Sequence, residues 1–405
     1  MSYEIKTTGL LKECMQSYFT RLGSAPKVAW CTSVGPAELL RAFGFEVYFP
    51  ENHGALLGAT RAAGNHIPAT VKLGYNGDVC SYLTADIGAY LEGQTPLAKH
   101  YGLERIPRPD LIVYCTNQCR EVQEWFGFFA REFHVPIAGV HPPRYIDDIS
   151  KDDIANISAQ FHALIPICEQ VSGVKFDIDR FRETVRLSRE AAVLWRGVLE
   201  TAKASPAPLS FFDGCIHMGP IVVMRGTQHA VDFYKALLSE LNANVAQGIG
   251  VVAKEQSRIY WDGMPIWGKL RPMSTLLHSA GAVVVASTYC NSWIFDQIDE
   301  RDPFESTARA YGEIFINRSD LAKTKILAGL LKEFRIDGVI FHDARTCFNN
   351  SNARFGMPQR LRAETGIPSL TIEADLCDLR FYSEGQTTTK IEAFLEQLSD
   401  ISIGV

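Results

Sequence analysis

The chain has 405 residues, of which 46% are hydrophobic and 21% charged, and its formal net charge at pH 7 is −6. This length exceeds what one hydrophobic core organises and predicts two domains, or two with an insertion. The acidic balance and the absence of a Lys/Arg-rich run argue against nucleic acid as a partner. No apolar run approaches the roughly 20 residues that a membrane helix needs, and the first residues lack a signal-peptide core, so we expect a cytoplasmic protein without a membrane partner.

Ten cysteines are distributed along the chain, and no two of them form a CxxC pair. Reducing compartments keep thiols free, so a disulfide framework is not expected. The absence of close-spaced pairs also weakens a zinc-ribbon or thioredoxin interpretation. The cysteines are Cys14, Cys31, Cys80, Cys115, Cys119, Cys168, Cys215, Cys290, Cys347 and Cys377.

Strand and helix patterns alternate through the first 140 residues, which is typical of a parallel α/β sheet. The pattern predicts a helix over 1–25, a strand over 27–33, a helix over 36–43 and a strand over 46–50. We expect this second strand to deliver Glu51, Asn52 and His53 into a loop.

Cys80 and Cys119 each stand between a loop and a predicted helix. A polar loop with two glycines leads to Cys80, and a helix is predicted directly after it. Residues 111–114 predict a buried strand, which a short polar loop connects to Cys119 and to the helix that follows. Backbone N–H groups point outward at such a helix start and favour an anionic group there.

The second half repeats this organisation after a helical insertion over 151–202. Helices are predicted over 231–241, up to 281, over 319–334 and over 350–365, and strands over 244–252, 282–287, 337–342 and 368–375. A loop with Cys347 lies between the last two strands, as Cys119 does in the first half. We therefore predict an α/β protein with two parallel-sheet domains, over 1–150 and 205–405, and a helical segment over 151–204 between them.

Three cysteines differ from the others in their surroundings. Cys80, Cys119 and Cys347 each follow a strand or a glycine turn, have polar neighbours and precede a helix. A free cysteine is otherwise most often a small core residue. Three thiolates from distant loops can bind zinc or an iron-sulfur cluster, and the residue pattern leaves both open. A nucleophilic pair with His53, His134 or His342 is a weaker alternative, because no local protease or transferase signature supports it.

Nucleotide-binding motifs are missing from the chain. There is no P-loop, and the glycines at 248 and 250 lack the third glycine of a dinucleotide fingerprint. The segment 255–267 is rich in aromatic side chains and is a candidate pocket wall for an adenine or aryl group, although such a stripe is more often core. Its candidate substrate-pocket residues are Tyr260, Trp261 and Trp267.

Several short segments, taken in order, resemble the benzoyl-CoA reductase and 2-hydroxyacyl-CoA dehydratase family of iron-sulfur subunits. They are Pro36-Ala-Glu-Leu, Asp78-Val-Cys-Ser-Tyr, Thr116-Asn-Gln-Cys, Arg258-Ile-Tyr-Trp-Asp-Gly-Met-Pro-Ile-Trp, Thr346-Cys and Gly366-Ile-Pro-Ser-Leu-Thr-Ile-Glu-Ala-Asp. The resemblance runs from about residue 36 to the C-terminus. Residues 79–90 and 117–126 look most similar to the smaller cluster-bearing subunit of ATP-dependent benzoyl-CoA reductase.

This resemblance implies that the two parallel-sheet domains are flavodoxin-like or Rossmann-like. It implies a 4Fe-4S cluster held by Cys80, Cys119 and Cys347, with the fourth iron position open or bound by a ligand other than cysteine. It also implies a heterodimer core with a related cluster-bearing subunit, an ATP-hydrolysing iron-sulfur activator, a ferredoxin upstream and an acyl-CoA substrate. The implied reaction is the low-potential reduction of benzoyl-CoA, or an analogue, to a cyclic dienoyl-CoA. Dehydration of a 2-hydroxyacyl-CoA through a ketyl radical is the alternative, and a non-catalytic cluster-bearing subunit is a second one.

A proton source is needed near the substrate of such a reaction. Ser33, Glu51 and His53 are the candidate catalytic residues, because they leave adjacent strand ends on the expected cluster side. A solvated loop residue is the plainer interpretation of each.

Overall fold

Two four-stranded parallel sheets form the framework of residues 5–403, the part of the chain that the computed structural model describes. The first sheet has the order β2-β1-β3-β4 and consists of β1 (Val28–Cys31), β2 (Glu46–Tyr48), β3 (Leu111–Cys115) and β4 (Ile137–Val140). The second has the order β6-β5-β7-β8 and consists of β5 (Ser257–Asp262), β6 (Ala282–Ser287), β7 (Gly338–Ala344) and β8 (Ser369–Ala374). The predicted α/β class with two parallel-sheet units is therefore confirmed.

Helices connect the strands and fill the middle of the chain. The helices of the first half are α1 (Thr8–Ser24), α2 (Ala37–Ala42), α3 (Pro50–Ala59), α4 (Ala63–Lys72), α5 (Ser81–Leu91), α6 (Pro96–Tyr101) and α7 (Glu121–Phe133). The middle helices are α8 (Lys151–Ser172), α9 (Ile178–Glu200), α10 (Phe211–His217), α11 (Gly219–Val223) and α12 (Gln228–Gln247). The remaining helices are α13 (Leu270–Ser279), α14 (Thr288–Asn291), α15 (Pro303–Gly312), α16 (Asp320–Glu333), α17 (Met357–Thr365) and α18 (Glu384–Ile403). None of the helices within residues 5–403 has the length and apolar character needed to span a bilayer.

Each sheet reverses its strand order once, between its first and third strand in the chain. The chain passes from β1 outward to β2 and then returns to β3 on the other side of β1, and β5, β6 and β7 repeat this path. In open parallel sheets, ligands bind beyond the carboxyl ends of the strands at this point of reversal. The loops after β1, β3, β5 and β7 are therefore where the fold places a site.

The helices α8 and α9 occupy most of residues 151–204. Each begins with a side-chain cap, because the Ser150 hydroxyl accepts the Asp153 N–H at 3.1 Å and the Asp177 carboxylate accepts the Asp179 N–H at 2.9 Å. Helix α9 packs on α2 and α12, and α8 packs on α15. The division of the chain near residues 150 and 204 stays a prediction.

A buried ion pair ties these middle helices to the first sheet. Arg225 Nε lies 3.2 Å from Glu38 Oε1, and both side chains are fully buried. Arg225 also donates to the Gly35 carbonyl oxygen at 2.8 Å, while the hydroxyl groups of Ser188 and Tyr311 each donate to the Glu38 carboxylate at 2.6 Å. Glu38 lies on α2, Ser188 on α9 and Tyr311 on α15. The network therefore joins these three helices beside the loop that follows β1.

Two local predictions were wrong. The strand expected over 244–252 is not present, because α12 continues to Gln247 and ends at Gly248 with a φ of 66°. The strand of this unit is β5, which carries the aromatic segment. The loop expected at 51–53 is the first turn of α3, whose first residue Pro50 needs no hydrogen-bond acceptor for a backbone N–H.

Candidate active site

Three loops bring Cys80, Cys119 and Cys347 to one place in the fold. Cys119 follows β3, and Cys347 follows β7, so each lies at the point of strand reversal of its own sheet. Cys80 is the residue before α5, in the long connection between β2 and β3. All three thiols are free, partly buried and in the lining of the same cavity. The structure thus gathers the three cysteines that differ from the others in their sequence surroundings.

The electrostatic environment of these thiols shows that they are neighbours. Burial is the largest cause that raises the pKa of each, to about 12 for Cys347 and further above the ordinary value for the other two. The second cause in each case is another member of the set: Cys347 acts on Cys80, Cys80 on Cys119, and Cys119 on Cys347. Without a bound cation the thiols are therefore protonated at neutral pH, and a metal that binds them must displace protons.

Backbone N–H groups near the three sulfur atoms act against the effect of burial. Those of Tyr82 and Leu83, in the first turn of α5, lower the pKa of Cys80, and that of Val122, at the start of α7, lowers the pKa of Cys119. The Asn350 N–H lowers the pKa of Cys347 in the same way. These groups favour a negatively charged sulfur.

The cavity that these cysteines line has a volume of about 600 Å³. It lies between the carboxyl ends of the two sheets and extends to α1 and α11. Most of its walls are apolar or aromatic, which is typical of a site that binds an organic ligand. The aromatic lining residues are Phe19, Tyr82, Tyr101, Trp125, Trp267, Tyr289 and Trp293.

Ser33 and Glu51 form the polar side of this cavity, and both are buried. The Ser33 backbone N–H donates to both carboxylate oxygens of Glu51, at 3.0 and 3.1 Å. Burial raises the pKa of Glu51 to about 7, while the hydrogen bonds from Ser33 act in the opposite direction. A carboxyl group with this pKa can donate or accept a proton near neutral pH, which is what general acid-base chemistry needs.

His53 lies behind the cavity wall and is not part of the lining that the structure describes. Its Nδ1 is 2.5 Å from Asp86 Oδ1, and its Nε2 is 2.8 Å from the Thr95 hydroxyl oxygen. The other oxygen of Asp86 accepts the Trp125 indole N–H at 2.7 Å. Both ring nitrogens of His53 are therefore engaged in hydrogen bonds. His53 orients the wall residue Trp125 through Asp86, whereas Ser33 and Glu51 line the cavity themselves.

Of the aromatic side chains in the segment 255–267, only Trp267 lines the cavity, and it lies after the end of β5. Tyr260 and Trp261 are fully buried within the second sheet and its cover, where the Tyr260 hydroxyl pairs with the Thr288 hydroxyl and the Trp261 N–H donates to the Met264 carbonyl oxygen. The Trp267 N–H donates to the Tyr82 hydroxyl, so two aromatic walls support each other. The structure thus separates Tyr260 and Trp261 from the cavity that they were expected to line.

Trp125, Tyr289 and Trp293 line the cavity but were not among the predicted site residues. A signal existed for the last two, because they follow the predicted strand at 282–287 and so belong to its carboxyl end. Trp125 is one of the buried residues of α7, and helical spacing alone favours the core face for it. In a helix packed beside a cavity, the side chains that face the core and those that line the cavity lie on neighbouring faces. The spacing of apolar residues does not distinguish the two groups.

The donor groups are not arranged for a single ion. Among residues 5–403, no three His, Cys, Asp or Glu side chains are grouped as they would be around one metal ion. The histidines considered as partners for a nucleophilic cysteine are elsewhere, since His342 is buried with its Nδ1 donating to the Met264 carbonyl oxygen at 2.6 Å.

Fold and site together define a class: a two-sheet α/β protein with a cysteine-lined cavity between the sheets. The sequence profile of the family described as 2-hydroxyglutaryl-CoA dehydratase, D-component, matches residues 32–398, and the chain belongs to this family. The resemblance inferred from the sequence is confirmed.

Characterised relatives are similar to the chain over nearly its whole length. The (R)-phenyllactyl-CoA dehydratase alpha subunit of Clostridium sporogenes is 31% identical over 91% of this chain and 89% of its own. The lactoyl-CoA dehydratase alpha subunit of Anaerotignum propionicum is 28% identical over 92% and 90%. A benzoyl-CoA reductase subunit of Thauera aromatica is 30% identical over 89% and 86%. The family therefore contains subunits of dehydratases and of a reductase that act on acyl-CoA thioesters, and these identities do not separate the two.

Proposed function

We propose that this chain is a subunit of an ATP-dependent class I benzoyl-CoA reductase, which transfers low-potential electrons to the ring of benzoyl-CoA or an analogue and yields a cyclic dienoyl-CoA. One observation carries the proposal: three cysteines from separate loops line the same aromatic-walled cavity as a buried carboxyl group whose pKa is about 7. Electrons and protons enter the ring in equal number. The cysteines serve the transfer of electrons, and the carboxyl group serves the transfer of protons.

The cysteine donors fit an iron-sulfur cluster. Thiolate sulfur is the usual protein ligand of such clusters. The three thiols are free and line one cavity. Cys80, Cys119 and Cys347 would hold it, and when bound a 4Fe-4S cluster supplies single electrons at low potential.

The protein groups around the cysteines have two effects on that electron source. The N–H groups of Tyr82, Leu83, Val122 and Asn350 stabilise negative charge on the sulfur atoms. The apolar walls keep water away from the sulfur atoms and from the ligand, which strengthens every electrostatic interaction inside the cavity. Solvent exclusion also protects a strongly reduced ligand from unwanted proton transfer.

Glu51 is the proton-transfer group in this proposal. In its protonated form it donates a proton to the substrate, and the Ser33 N–H stabilises the carboxylate that remains. Because the pKa is near 7, the carboxyl group is reprotonated without a large free-energy cost. His53 has no direct part in this step, since Asp86 and Thr95 occupy its ring nitrogens.

The aromatic walls favour an aryl group as the acyl part of the substrate. Trp125, Trp267, Tyr289 and Trp293 offer faces and edges against which a planar ring packs.

Partner subunits complete the proposal. The relatives are named as subunits of larger enzymes, so this chain is proposed to pair with a related cluster-bearing subunit. An ATP-hydrolysing iron-sulfur activator supplied by ferredoxin would deliver the electrons. The lack of a P-loop in the sequence is consistent with ATP hydrolysis on another chain.

Dehydration of a 2-hydroxyacyl-CoA is the second candidate, and the relatives named as dehydratase alpha subunits favour it. The same site would serve it, because a protonated Glu51 can donate to the hydroxyl group as it leaves. An aromatic 2-hydroxyacyl group satisfies the cavity walls as well as benzoyl does.

An anoxic assay of the complete complex, with activator, ATP and a low-potential reductant, separates these candidates. The proposal predicts benzoyl-CoA-dependent consumption of the reductant and formation of the cyclic dienoyl-CoA, detected by mass. It also predicts that Glu51→Gln lowers turnover by at least about 100-fold while the iron content stays that of the wild type.

The other outcomes assign the chain differently. Dehydration of (R)-phenyllactyl-CoA without any reaction of benzoyl-CoA would replace the reductase by the dehydratase. Full turnover by the complex after each of the three cysteines of this chain is replaced by serine would indicate a non-catalytic cluster-bearing subunit.

A further inference from the structure

A buried carboxylate, Asp375, lies behind two of the three cysteines. It follows β8 and is fully buried. Its Oδ1 accepts hydrogen bonds from the Ser81 hydroxyl at 2.5 Å and from the N–H groups of Cys377 and Asp378 at 3.1 and 3.0 Å. Its Oδ2 accepts from both the N–H and the hydroxyl of Thr346, at 2.9 and 2.6 Å.

A direct contact between Ser81 and Thr346 closes this network into a ring. The Ser81 backbone N–H donates to the Thr346 hydroxyl oxygen at 3.0 Å, while that hydroxyl donates its proton to Asp375. Ser81 is the first residue of α5, so this bond also satisfies one of the N–H groups that a helix start leaves without a partner. Three segments far apart in the sequence are therefore held together by buried hydrogen bonds.

Both hydroxyl residues of this ring are next to cysteines that line the cavity. Ser81 follows Cys80, and Thr346 precedes Cys347. The loops that carry these cysteines are also joined at the surface, where Arg345 Nη2 is 3.0 Å from Asp78 Oδ2. That ion pair is about half exposed on both sides, so water and salt screen it, and the buried ring carries most of the constraint.

We propose that Asp375 is a positioning residue that sets the placement of Cys80 relative to Cys347 through Ser81 and Thr346. The inference rests on the proposed function, in which these cysteines hold a cluster. Asp375 itself does not line the cavity, and its hydrogen bonds reach the two ligands through Ser81 and Thr346, the residues that flank them.

The chemistry of the network requires a carboxylate. An ionised carboxyl group has acceptor sites only, and here five donors from three segments use them. The side-chain amide of an asparagine at this position would place its own N–H groups against some of these five donors. Buried polar groups would then lack a hydrogen-bond partner. Asp375→Asn therefore changes the hydrogen bonding at almost constant shape.

Cys119 is connected differently and serves as an internal reference. Its loop is bound by Arg144, whose Nη2 donates to the Gln118 carbonyl oxygen at 3.2 Å and to Asn349 Oδ1 at 2.9 Å. No hydrogen bond of the Asp375 ring reaches this loop among the described residues. The proposal therefore predicts unequal effects on the three thiols.

The first experiment measures thiol accessibility in the iron-free protein, under anoxia, by limited alkylation with iodoacetamide and peptide mass spectrometry. Loss of the ring makes local opening of the two loops easier, so Asp375→Asn should raise the alkylation rates of Cys80 and Cys347 roughly tenfold. The rate at Cys119 should stay within about twofold of the wild type. Equal rates in variant and wild type, or an equal increase at all ten cysteines, would overturn the proposal.

The second experiment reconstitutes the protein with iron and sulfide and follows the loss of iron to a chelator. Asp375→Asn should lose iron roughly tenfold faster than the wild type, because two ligands are no longer held in place. Iron loss at the wild-type rate would contradict the proposal. A wild-type protein that binds no iron would refute the proposed function instead, and the alkylation rates would still decide the role of Asp375.

Two controls separate positioning from general destabilisation. Asp262→Asn removes another buried carboxylate of the second sheet, which accepts hydrogen bonds from Thr288 and Asn352. It should change neither the ratio of alkylation rates nor the rate of iron loss, and an effect like that of Asp375→Asn would count against a specific role. Thr346→Val should reproduce the Asp375→Asn pattern, whereas Thr346→Ser, which keeps the hydroxyl, should restore the wild-type values.

Discussion

Glu51 is a buried carboxyl group whose pKa, about 7 in the folded protein, lies above the ordinary value of 4.5. A raised pKa means that the folded state binds the proton more tightly than the unfolded state. The stability contributed by protonated Glu51 is therefore complete below pH 4.5 and is lost as the pH rises through 7. This behaviour depends on the residue alone and is measurable without substrate or iron.

Glu51→Gln should remove this dependence on pH. From below pH 4.5 to above pH 7, the free energy of unfolding of the iron-free wild type should fall relative to the variant by up to about 3 kcal/mol. Urea unfolding at a series of pH values measures the difference. Glu104→Gln, at an exposed side chain, should follow the wild type. A difference between Glu51→Gln and wild type that stays constant with pH would show that Glu51 titrates normally.

At the scale of single residues, the sequence could not predict the directions in which the candidate side chains of the site point. Glu51 and His53 were grouped because both were placed in a loop. They lie on one helix, where residues two apart point roughly 200° away from each other, so Glu51 faces the cavity and His53 the interior. Pro50 was the available signal for the helix start.

At the scale of elements, α5 carries Cys80 at its N-terminus and packs closely on α4. Gly88 of α5 makes the contact possible, because a Cβ at this position would lie 2.0 Å from the His66 carbonyl oxygen. Gly88→Ala should force the two helices apart and lower the free energy of unfolding by about 1–3 kcal/mol, as measured by urea unfolding. Gly64→Ala in α4 is the control, since nothing lies within 4 Å of its Cβ position and only a small change, of about 1 kcal/mol at most, is expected. Equal effects of the two substitutions would refute this packing account.

The strands with the clearest sequence patterns were predicted at the correct positions. The strand predicted over 282–287 matches β6, and the strand predicted over 368–375 covers β8, because both are apolar runs bounded by breaks. The strand predicted over 244–252 failed since its apolar residues continue the helical spacing of α12. β5 was missed because its charged and aromatic residues suggested a pocket, although its whole length is buried in the sheet.

At the scale of the whole molecule, the site arises from two sheets whose points of strand reversal meet at one cavity. The repeated organisation around Cys119 and Cys347 predicted two such points. The orientation of the halves was not predictable, because it depends on buried contacts between residues far apart in the chain, such as Glu38 with Arg225 and Asp375 with Ser81. Each member of such a pair looks like an ordinary surface residue in the sequence alone.

The central claim is that Cys80, Cys119 and Cys347 together hold one iron-sulfur cluster. Its most direct test is iron analysis and EPR of protein reconstituted under anoxia, with serine replacing each of the three in turn and Cys115→Ser as the control. Cys115 lies four residues before Cys119 but is fully buried in β3 and does not line the cavity. We expect about four irons per chain in the wild type and in Cys115→Ser, and loss of most of the iron and of the signal in the other three variants. An unchanged cluster signal in Cys119→Ser would contradict the claim.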